Sequence, residues 1–358
     1  MDPTKTPAMH PPPGVSPDFN APDPLHAVNV FSIIFCLSLC TILLAIQLCT
    51  KKLLMHGLLL EDYVTILGWV VFVPYCGLGL QLVYGNRGNK HQWDVSIAQM
   101  AGFANIANIV CIIYVLLMLM IKSAVLLQYL RIFVPQRNRS FYLAWILIGI
   151  NIVFNIGLAL TLAFQCVPRR KIWAPWLPGR CINVGATLMI SAVSNTVTDF
   201  ATLLLPMYTI WNLQLPLKRK LGISAVFTIG LFGCAASLVR LVFAFELIRS
   251  EDMTYLLAIE YHWALAEITS GMVCCCLTCF PKLCRHLAGQ AKRSLGRITN
   301  PSSAPSPHHS GEQAKVLAVQ HRQDPYMELD DLKTSSTGSS GREQWWMKKY
   351  ESGVESGV

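Results

Sequence analysis

The chain has 358 residues, of which 53% are hydrophobic and only 14% are charged, and its mean hydropathy is +0.44. Soluble domains carry about 25% charged residues, so this composition excludes a water-soluble globule and a wholly disordered chain. The length allows several membrane spans but not a spanning unit together with a large second domain. The net charge of +9 does not indicate nucleic-acid binding, because the basic residues lie in short gaps between long apolar runs.

Seven apolar segments are long enough to cross the hydrocarbon core, which requires about 20 mostly apolar residues in a helix. Barrel strands are excluded, since they would show about 10 residues of alternating polarity. We therefore predict an all-α, seven-transmembrane helix bundle that follows a proline-rich, disordered extracellular tail over residues 1–27. The predicted spans are residues 28–49, 62–84, 104–130, 140–164, 186–211, 221–247 and 255–280.

The distribution of lysine and arginine predicts the orientation, because cytoplasmic segments carry an excess of both. With the N-terminus outside, the segments inside the cell hold 13 basic residues and those outside hold 8. This bias favours an extracellular N-terminus and a cytoplasmic C-terminus. We expect a multi-pass protein of the plasma membrane that contacts membrane lipid.

Two cysteines stand apart from the others, most of which lie within spans as small apolar side chains. Cys166 and Cys181 bracket the loop between spans four and five. That loop is extracellular in the orientation given above, and disulfides persist in such a compartment. We predict a Cys166–Cys181 disulfide. The alternative, two free thiols in a reducing loop, would require the opposite orientation.

Polar side chains at bilayer depth are costly, and they usually face the bundle interior or a partner. At 1.5 Å of rise per residue, the sequence predicts pairing of Lys122 with Asp199 and of Arg240 with Glu260 or Glu267. Two interpretations stay open, an internal network that fixes helix packing and a ligand pocket or switch built from the same groups. The predicted intramembrane network consists of Lys122, Asn195, Asp199, Arg240, Glu260, His262 and Glu267.

The predicted cytoplasmic face is basic. Arg131 ends span three, where it either extends to lipid phosphates or couples helix movement to an effector. A second candidate coupling site is the short loop with Lys218, Arg219 and Lys220. Residues 281–298 have the pattern of an amphipathic interfacial helix, with Cys279 and Cys284 as candidate palmitoylation sites. Residues 299–358 are rich in Ser, Pro, Gly and charge, which predicts a disordered cytoplasmic tail.

Several motifs follow one another along the chain in a specific order. They are Glu61-Asp62-Tyr63, Gly88-Asn89-Lys90-His91-Gln92-Trp93, the run from Lys122 to Phe133, Cys166-Val167-Pro168, Gly179-Arg180-Cys181, Asn195 with Asp199, and Val239-Arg240-Leu241. In these motifs the chain resembles the fungal rhodopsin-like seven-helix family, which includes membrane proteins of secondary-metabolite clusters, such as the satratoxin cluster, and Pth-eleven-type receptor candidates. The resemblance covers about residues 28–285 and implies a fungal source, an extracellular N-terminus and a receptor-like role.

Retinal is not expected as a cofactor despite the family name, because span seven contains no lysine for a Schiff base. No metal site is predicted, and an enzyme is not expected, because the spans hold too few histidines for a zinc hydrolase. We expect an orphan receptor-like protein, with an unknown ligand entering beneath the Cys166–Cys181 loop and a heterotrimeric G protein as candidate partner. The alternative is a membrane transporter or an auxiliary or scaffold protein associated with secondary metabolism.

Overall fold

The structure is a computed structural model, and the tail predicted beyond residue 298 lies outside the residues that it describes. The described residues are 6–14, 16–19, 25–54, 57–85, 89–133, 139–174, 176–211, 217–250, 252–280, 283 and 288. Their side chains are described too, except those of residues 54, 132–133, 208–211, 217–223 and 225.

The described part of the chain forms seven α-helices, which confirms the predicted helix bundle. Six of them, α1 to α6, are long and apolar enough to cross a membrane. The seventh helix has a similar length and carries Glu260, His262 and Glu267. The helices are α1 His26–Leu54, α2 Leu60–Gly85, α3 Ile97–Phe133, α4 Arg139–Ala163, α5 Val184–Trp211, α6 Leu217–Arg249 and α7 Met253–Leu277.

Most helices extend beyond the predicted spans. The largest difference is at α3, which runs over Ile97–Phe133 where the sequence predicts a span over 104–130. Apolar runs mark only the hydrocarbon core, whereas helical hydrogen bonds continue into the interfacial regions on both sides.

Helix α3 lies at the centre of the bundle and packs against α2, α4, α5 and α7. The core contains fully buried Phe72, Leu117 and Ile268, and the outer surface is also apolar, since Phe31 and Val153 are 70% and 75% exposed. Large exposed apolar surfaces mark contact with lipid or protein rather than with water. Near the middle of the helices, by contrast, the charged side chains of Lys122, Arg240 and Glu267 are buried, so the arrangement is that of a multi-pass membrane protein.

A disulfide-linked hairpin joins α4 to α5. Strand β1 (Cys166–Val167) pairs antiparallel with strand β2 (Arg180–Cys181), and Cys166 lies opposite Cys181. The two sulfurs form the predicted disulfide. Gly179 is required there, because a Cβ atom on it would clash with the Val167 carbonyl oxygen. We call the end of the bundle with this hairpin the disulfide end, and the other the far end.

The N-terminal segment contacts the disulfide end. The Ala8 amide donates to the Val95 carbonyl at 2.9 Å, and Pro7 forms a β-bridge with Ser96. The Asp18 amide donates to Asp94 Oδ1 at 2.9 Å. These residues fall within the predicted disordered tail, and His26, also within it, begins α1. The described part of the tail thus makes backbone hydrogen bonds that its proline-rich composition does not indicate.

Helices α2 and α7 approach closely at Gly79, which gives a stability prediction. A Cβ atom on Gly79 would overlap the Tyr261 hydroxyl and lie 2.5 Å from its Cζ. Because the ring is rigid, we expect Gly79→Ala to destabilise the bundle by about 1–3 kcal/mol, the usual cost of overpacking. Thermal unfolding in detergent measures the change.

Gly77→Ala is the matched control on the same helix, because a Cβ atom on Gly77 meets nothing within 4 Å. Equal melting temperatures for the two variants would contradict this account of the α2–α7 contact.

Candidate functional site

Lys122 joins α3 to α5 in the middle of the bundle. Its Nζ lies 2.8 Å from Asp199 Oδ1 and donates to the Asn195 side-chain oxygen at 2.8 Å and to Thr198 Oγ1 at 2.7 Å. Lys122 is only 5% exposed. A buried ammonium group is tolerated only when it is paired and hydrogen-bonded, and these three contacts meet that requirement. The structure therefore contains the predicted Lys122–Asp199 pair.

Arg240 on α6 contacts both predicted carboxylates of α7. Its guanidinium group donates to Glu267 Oε2 at 2.9 Å and to Glu260 Oε1 at 3.2 Å. It also donates to the Tyr114 hydroxyl, which in turn donates to Glu267 Oε2 at 3.1 Å. The Arg240 Cζ atom lies 4.3 Å from the centroid of the Tyr114 ring, a cation–π distance. Arg240 thus connects α3, α6 and α7.

Asn195 links the two ion pairs into one network. Its side-chain nitrogen donates to Asp199 Oδ2 at 3.1 Å and to Glu267 Oε1. Ser237 on α6 donates to Asp199 Oδ2 as well. We call these groups the central network, which consists of Tyr114, Lys122, Asn195, Thr198, Asp199, Ser237, Arg240, Glu260 and Glu267.

The sequence analysis did not identify Tyr114, Thr198 or Ser237 as members of this network. Uncharged hydroxyl groups are common in membrane helices, so their residue type alone gives no signal. Their depth could have indicated them, since Thr198 adjoins Asp199 and Ser237 lies three residues before Arg240 on α6.

His262 does not join the central network in the structure. Its Nδ1 donates to the Ala258 carbonyl of its own helix at 2.8 Å. Its Nε2 is buried and lacks a hydrogen-bond partner within the described part of the chain. The sequence matched His262 to Glu260 in depth, but the two side chains leave α7 in different directions because they are only two residues apart.

A cavity lies beside the central network toward the disulfide end. The volume of this cavity is about 80 Å³. Tyr114, Arg240 and Glu260 of the central network contribute to its lining. Leu162 and Leu188, which line it too, flank the hairpin along the chain. His262 and Glu267 belong to the predicted intramembrane network, but neither lines this cavity.

The loop between α2 and α3 is bound to the start of α7 at the disulfide end. The ring of His91 stacks between Trp93 and Tyr255, with centroids 4.4 Å from each, and its Nδ1 contacts Asp252 Oδ2. Thr254 donates to the Lys90 carbonyl at 2.8 Å. This motif therefore positions the segment next to Asn89, which lines the cavity.

The far end carries a second group of charges, which we call the far-end cluster: Lys51, Glu61, Asp62 and Arg131. Arg131 NH1 lies 2.6 Å from Glu61 Oε1, so α3 is tied to the start of α2. Lys51 pairs with Asp62 and lies 3.8 Å from Glu61 Oε1. In the sequence, Lys51 is one of the basic residues that predict the membrane orientation. A match in depth across the α1–α2 turn could also have indicated its contacts with Glu61 and Asp62.

The other predicted sites are only partly within the described residues. Cys279, a candidate palmitoylation site, is buried, with 6% of its surface exposed. Cys284 and most of the predicted amphipathic helix lie outside the described residues, as do the side chains of Lys218, Arg219 and Lys220. Within the described residues, no group of three or more His, Cys, Asp or Glu side chains could hold a metal ion.

Comparison with known proteins establishes the family. The pattern of the fungal rhodopsin domain matches residues 46–286, which is more than half of the chain. The chain belongs to the fungal rhodopsin domain family. The family assignment agrees with the resemblance carried by the sequence motifs and with the observed helix bundle. No solved structure matches the chain.

This fungal rhodopsin-domain protein is similar to three curated proteins, two of which are named for biosynthesis clusters. A SAT4 family membrane protein of Emericella nidulans is 37% identical over 63% of this chain and 58% of its own length. The Fugralins biosynthesis cluster protein 2 of Gibberella zeae is 27% identical over 87% of this chain and 80% of its own length. The Satratoxin biosynthesis SC1 cluster protein 4 of Stachybotrys chartarum is 28% identical over 44% and 56%. The match thus spans less than two thirds of the SAT4 relative.

The residues of this fungal rhodopsin-domain protein do not fit a retinal Schiff base. The reaction requires a lysine amine, and α7 contains no lysine. Lys122 lies on α3, and its amine is held by Asp199, Asn195 and Thr198.

Proposed function

We propose that this protein is a receptor-like membrane sensor that binds a ligand in the cavity at the disulfide end. One observation carries the proposal, namely that Arg240 and Glu260 both line the cavity and belong to the central network. A ligand that touches these groups would change contacts shared by α6 and α7. An enzymatic activity forms no part of the proposal.

A continuous set of contacts supports transmission from the cavity toward the far end. Arg240 contacts Glu267, Asn195 connects Glu267 to Asp199, and Lys122 connects α5 to α3. The last turn of α3 carries Arg131, which is tied to Glu61 on α2. Ligand-dependent movement of α3 would therefore act on the Arg131–Glu61 ion pair. A change in this pair is the candidate output of the receptor.

The proposed receptor has its disulfide end outside the cell and lies in the plasma membrane. The excess of basic residues at the far end supports this orientation. A heterotrimeric G protein is the proposed partner, and it would contact Arg131 together with Lys218, Arg219 and Lys220. Basic surfaces favour docking of partners with acidic patches.

The first test measures proximity between the far end and each Gα subunit in native fungal cells. A split reporter is fused to the C-terminus, and an unrelated seven-helix protein is the control. We expect a specific signal for one subunit and loss of that signal in Arg131→Ala. A signal no greater than that of the unrelated protein would refute coupling to a G protein.

The Arg131–Glu61 ion pair gives a sharper prediction. Glu61→Gln removes the partner of Arg131 and leaves Lys51 paired with Asp62. Because the Arg131 side chain is 40% exposed, the pair contributes only about 1 kcal/mol. We therefore expect a roughly fivefold shift toward the active state, measured as a higher basal reporter signal without added ligand.

Glu246→Gln is the matched control, since Glu246 is an exposed glutamate on α6 near the disulfide end. A basal signal that responds equally to Glu61→Gln and Glu246→Gln would contradict a role for the far-end ion pair in transmission.

The second candidate function is transport or an auxiliary or scaffold role in secondary metabolism. Two relatives are named as proteins of the Fugralins and Satratoxin biosynthesis clusters, and these names favour this candidate. Solute uptake and export in a deletion strain distinguish it from the receptor, because a transporter changes flux whether or not a Gα subunit is present.

A further inference from the structure

Two buried hydrogen-bond donors at the cavity lack partners. Arg240 and Asn29 both line the cavity and are 5% and 2% exposed. Within the described part of the chain, Arg240 Nε and Asn29 Nδ2 are buried and donate to no protein acceptor. An unsatisfied buried donor costs about 1–3 kcal/mol, so each of these side chains would gain from an acceptor that reaches its donor from the cavity.

The charges around Arg240 restrict what that acceptor can be. Its guanidinium group already contacts the carboxylates of Glu260 and Glu267. Two carboxylates next to one guanidinium leave an excess of negative charge, which repels an anionic ligand. A neutral oxygen, such as that of a ketone, ester or lactone, accepts hydrogen bonds without bringing further negative charge into the site.

Most of the remaining wall of the cavity is apolar, although Asn89 and Ser191 also line it. Phe103, Val110 and Leu257 line it together with Leu162 and Leu188. The cavity volume of about 80 Å³ exceeds what one water molecule needs and is enough for several waters or for a polar group with a few carbon atoms of a ligand. Ligand sites in proteins typically combine such apolar walls with a few placed polar groups.

We propose that the cavity binds a neutral, mostly apolar small molecule with acceptor oxygens, one facing Arg240 Nε and another facing Asn29 Nδ2. This inference rests on the proposed receptor function only in using the same cavity as the ligand site. Binding itself requires no G protein and no movement of the far end.

The test uses the full chain, purified in lipid nanodiscs, and three six-membered-ring probes. The probes are δ-valerolactone, cyclohexanecarboxylate and cyclohexylammonium, which carry a neutral ester, an anion and a cation. Saturation-transfer NMR measures binding, and the signal from empty nanodiscs is subtracted to remove partition into lipid. We expect saturable binding of the lactone and at least about tenfold weaker binding of both ions.

Asn29→Leu tests the site without disturbing the ion pairs of the central network. The leucine has a similar size and lacks the donor, so we expect roughly fivefold weaker lactone binding, as for the loss of one neutral hydrogen bond. The unliganded variant should melt at the same or a higher temperature, because an unsatisfied buried donor has been removed. Asn155→Leu is the matched control, since Asn155 on α4 donates to Asn151 and does not line the cavity.

Three results would overturn the inference. If cyclohexanecarboxylate bound most tightly, the cavity would be an anion site. If cyclohexylammonium bound most tightly, the cavity would be a cation site, formed by the excess carboxylate beside Arg240. Equal lactone binding by wild type and Asn29→Leu would show that the lactone does not use this donor. Lactone binding without any Gα signal would leave the ligand site intact and refute coupling to a G protein, so the two failures are distinguishable.

Discussion

Arg240→Met is expected to destabilise the protein by about 3–5 kcal/mol, the typical cost of removing one partner from a buried ion pair. The guanidinium group contacts Glu260, Glu267 and Tyr114. Methionine would fill much of the space but would leave two carboxylates buried in the bundle without their cation. Thermal unfolding of the detergent-solubilised protein, followed by size-exclusion chromatography, measures the loss.

Arg249→Met is the matched control, because Arg249 ends the same helix and is exposed. Surface charges of this kind contribute about 0–1 kcal/mol, so its melting temperature should stay close to that of wild type. Adding Glu267→Gln to Arg240→Met should recover part of the loss by removing one unpaired charge. Similar melting temperatures for Arg240→Met and Arg249→Met would contradict the role assigned to the central network.

Loss of the hairpin disulfide is the second large effect. Cys166 and Cys181 are separated by 15 residues, and a cross-link closing a loop of this length contributes about 3 kcal/mol. We expect Cys181→Ser to lower the free energy of unfolding by about that amount. The Cys166→Ser/Cys181→Ser double variant should lose no more than the single variant, because one bond is lost in both cases. Melting temperatures measured without reductant give both comparisons.

Cys49→Ser controls for the removal of a thiol, since Cys49 is a free, exposed cysteine on α1. Its melting temperature should match that of wild type. The disulfide would have no stabilising role if reductant and Cys181→Ser both left the melting temperature unchanged.

In the central network, the sequence predicts the depth of each charged side chain better than the direction in which it leaves its helix. Depth along a helix follows from the rise per residue, which is why Lys122 with Asp199 and Arg240 with the α7 carboxylates were identifiable. The direction in which a side chain leaves its helix is harder to predict when the helix is apolar on all sides, because no polar face marks the exterior. His262 illustrates this limit, since its depth is right and its direction leads away from the network.

The far-end cluster shows the same limit in another form. Glu61 and Asp62 were visible as a motif, and Lys51 and Arg131 as basic residues near membrane boundaries. Nothing in the spacing says that Arg131 contacts Glu61, because the two residues are 70 positions apart. Packing of α3 against α2 decides that contact.

The amino-acid sequence alone indicates a helical membrane protein of the fungal rhodopsin-like type, with polar groups at bilayer depth and a disulfide across the loop between spans four and five. Apolar length and residue order carry that information directly, since a span must be long enough to cross the hydrocarbon core. The tertiary structure adds Tyr114 and Ser237 to the central network and shows that Tyr261 packs closely against Gly79. It also placed Asn29 at a cavity with Arg240. These features depend on the rotation of each helix about its axis, which packing against neighbouring helices sets.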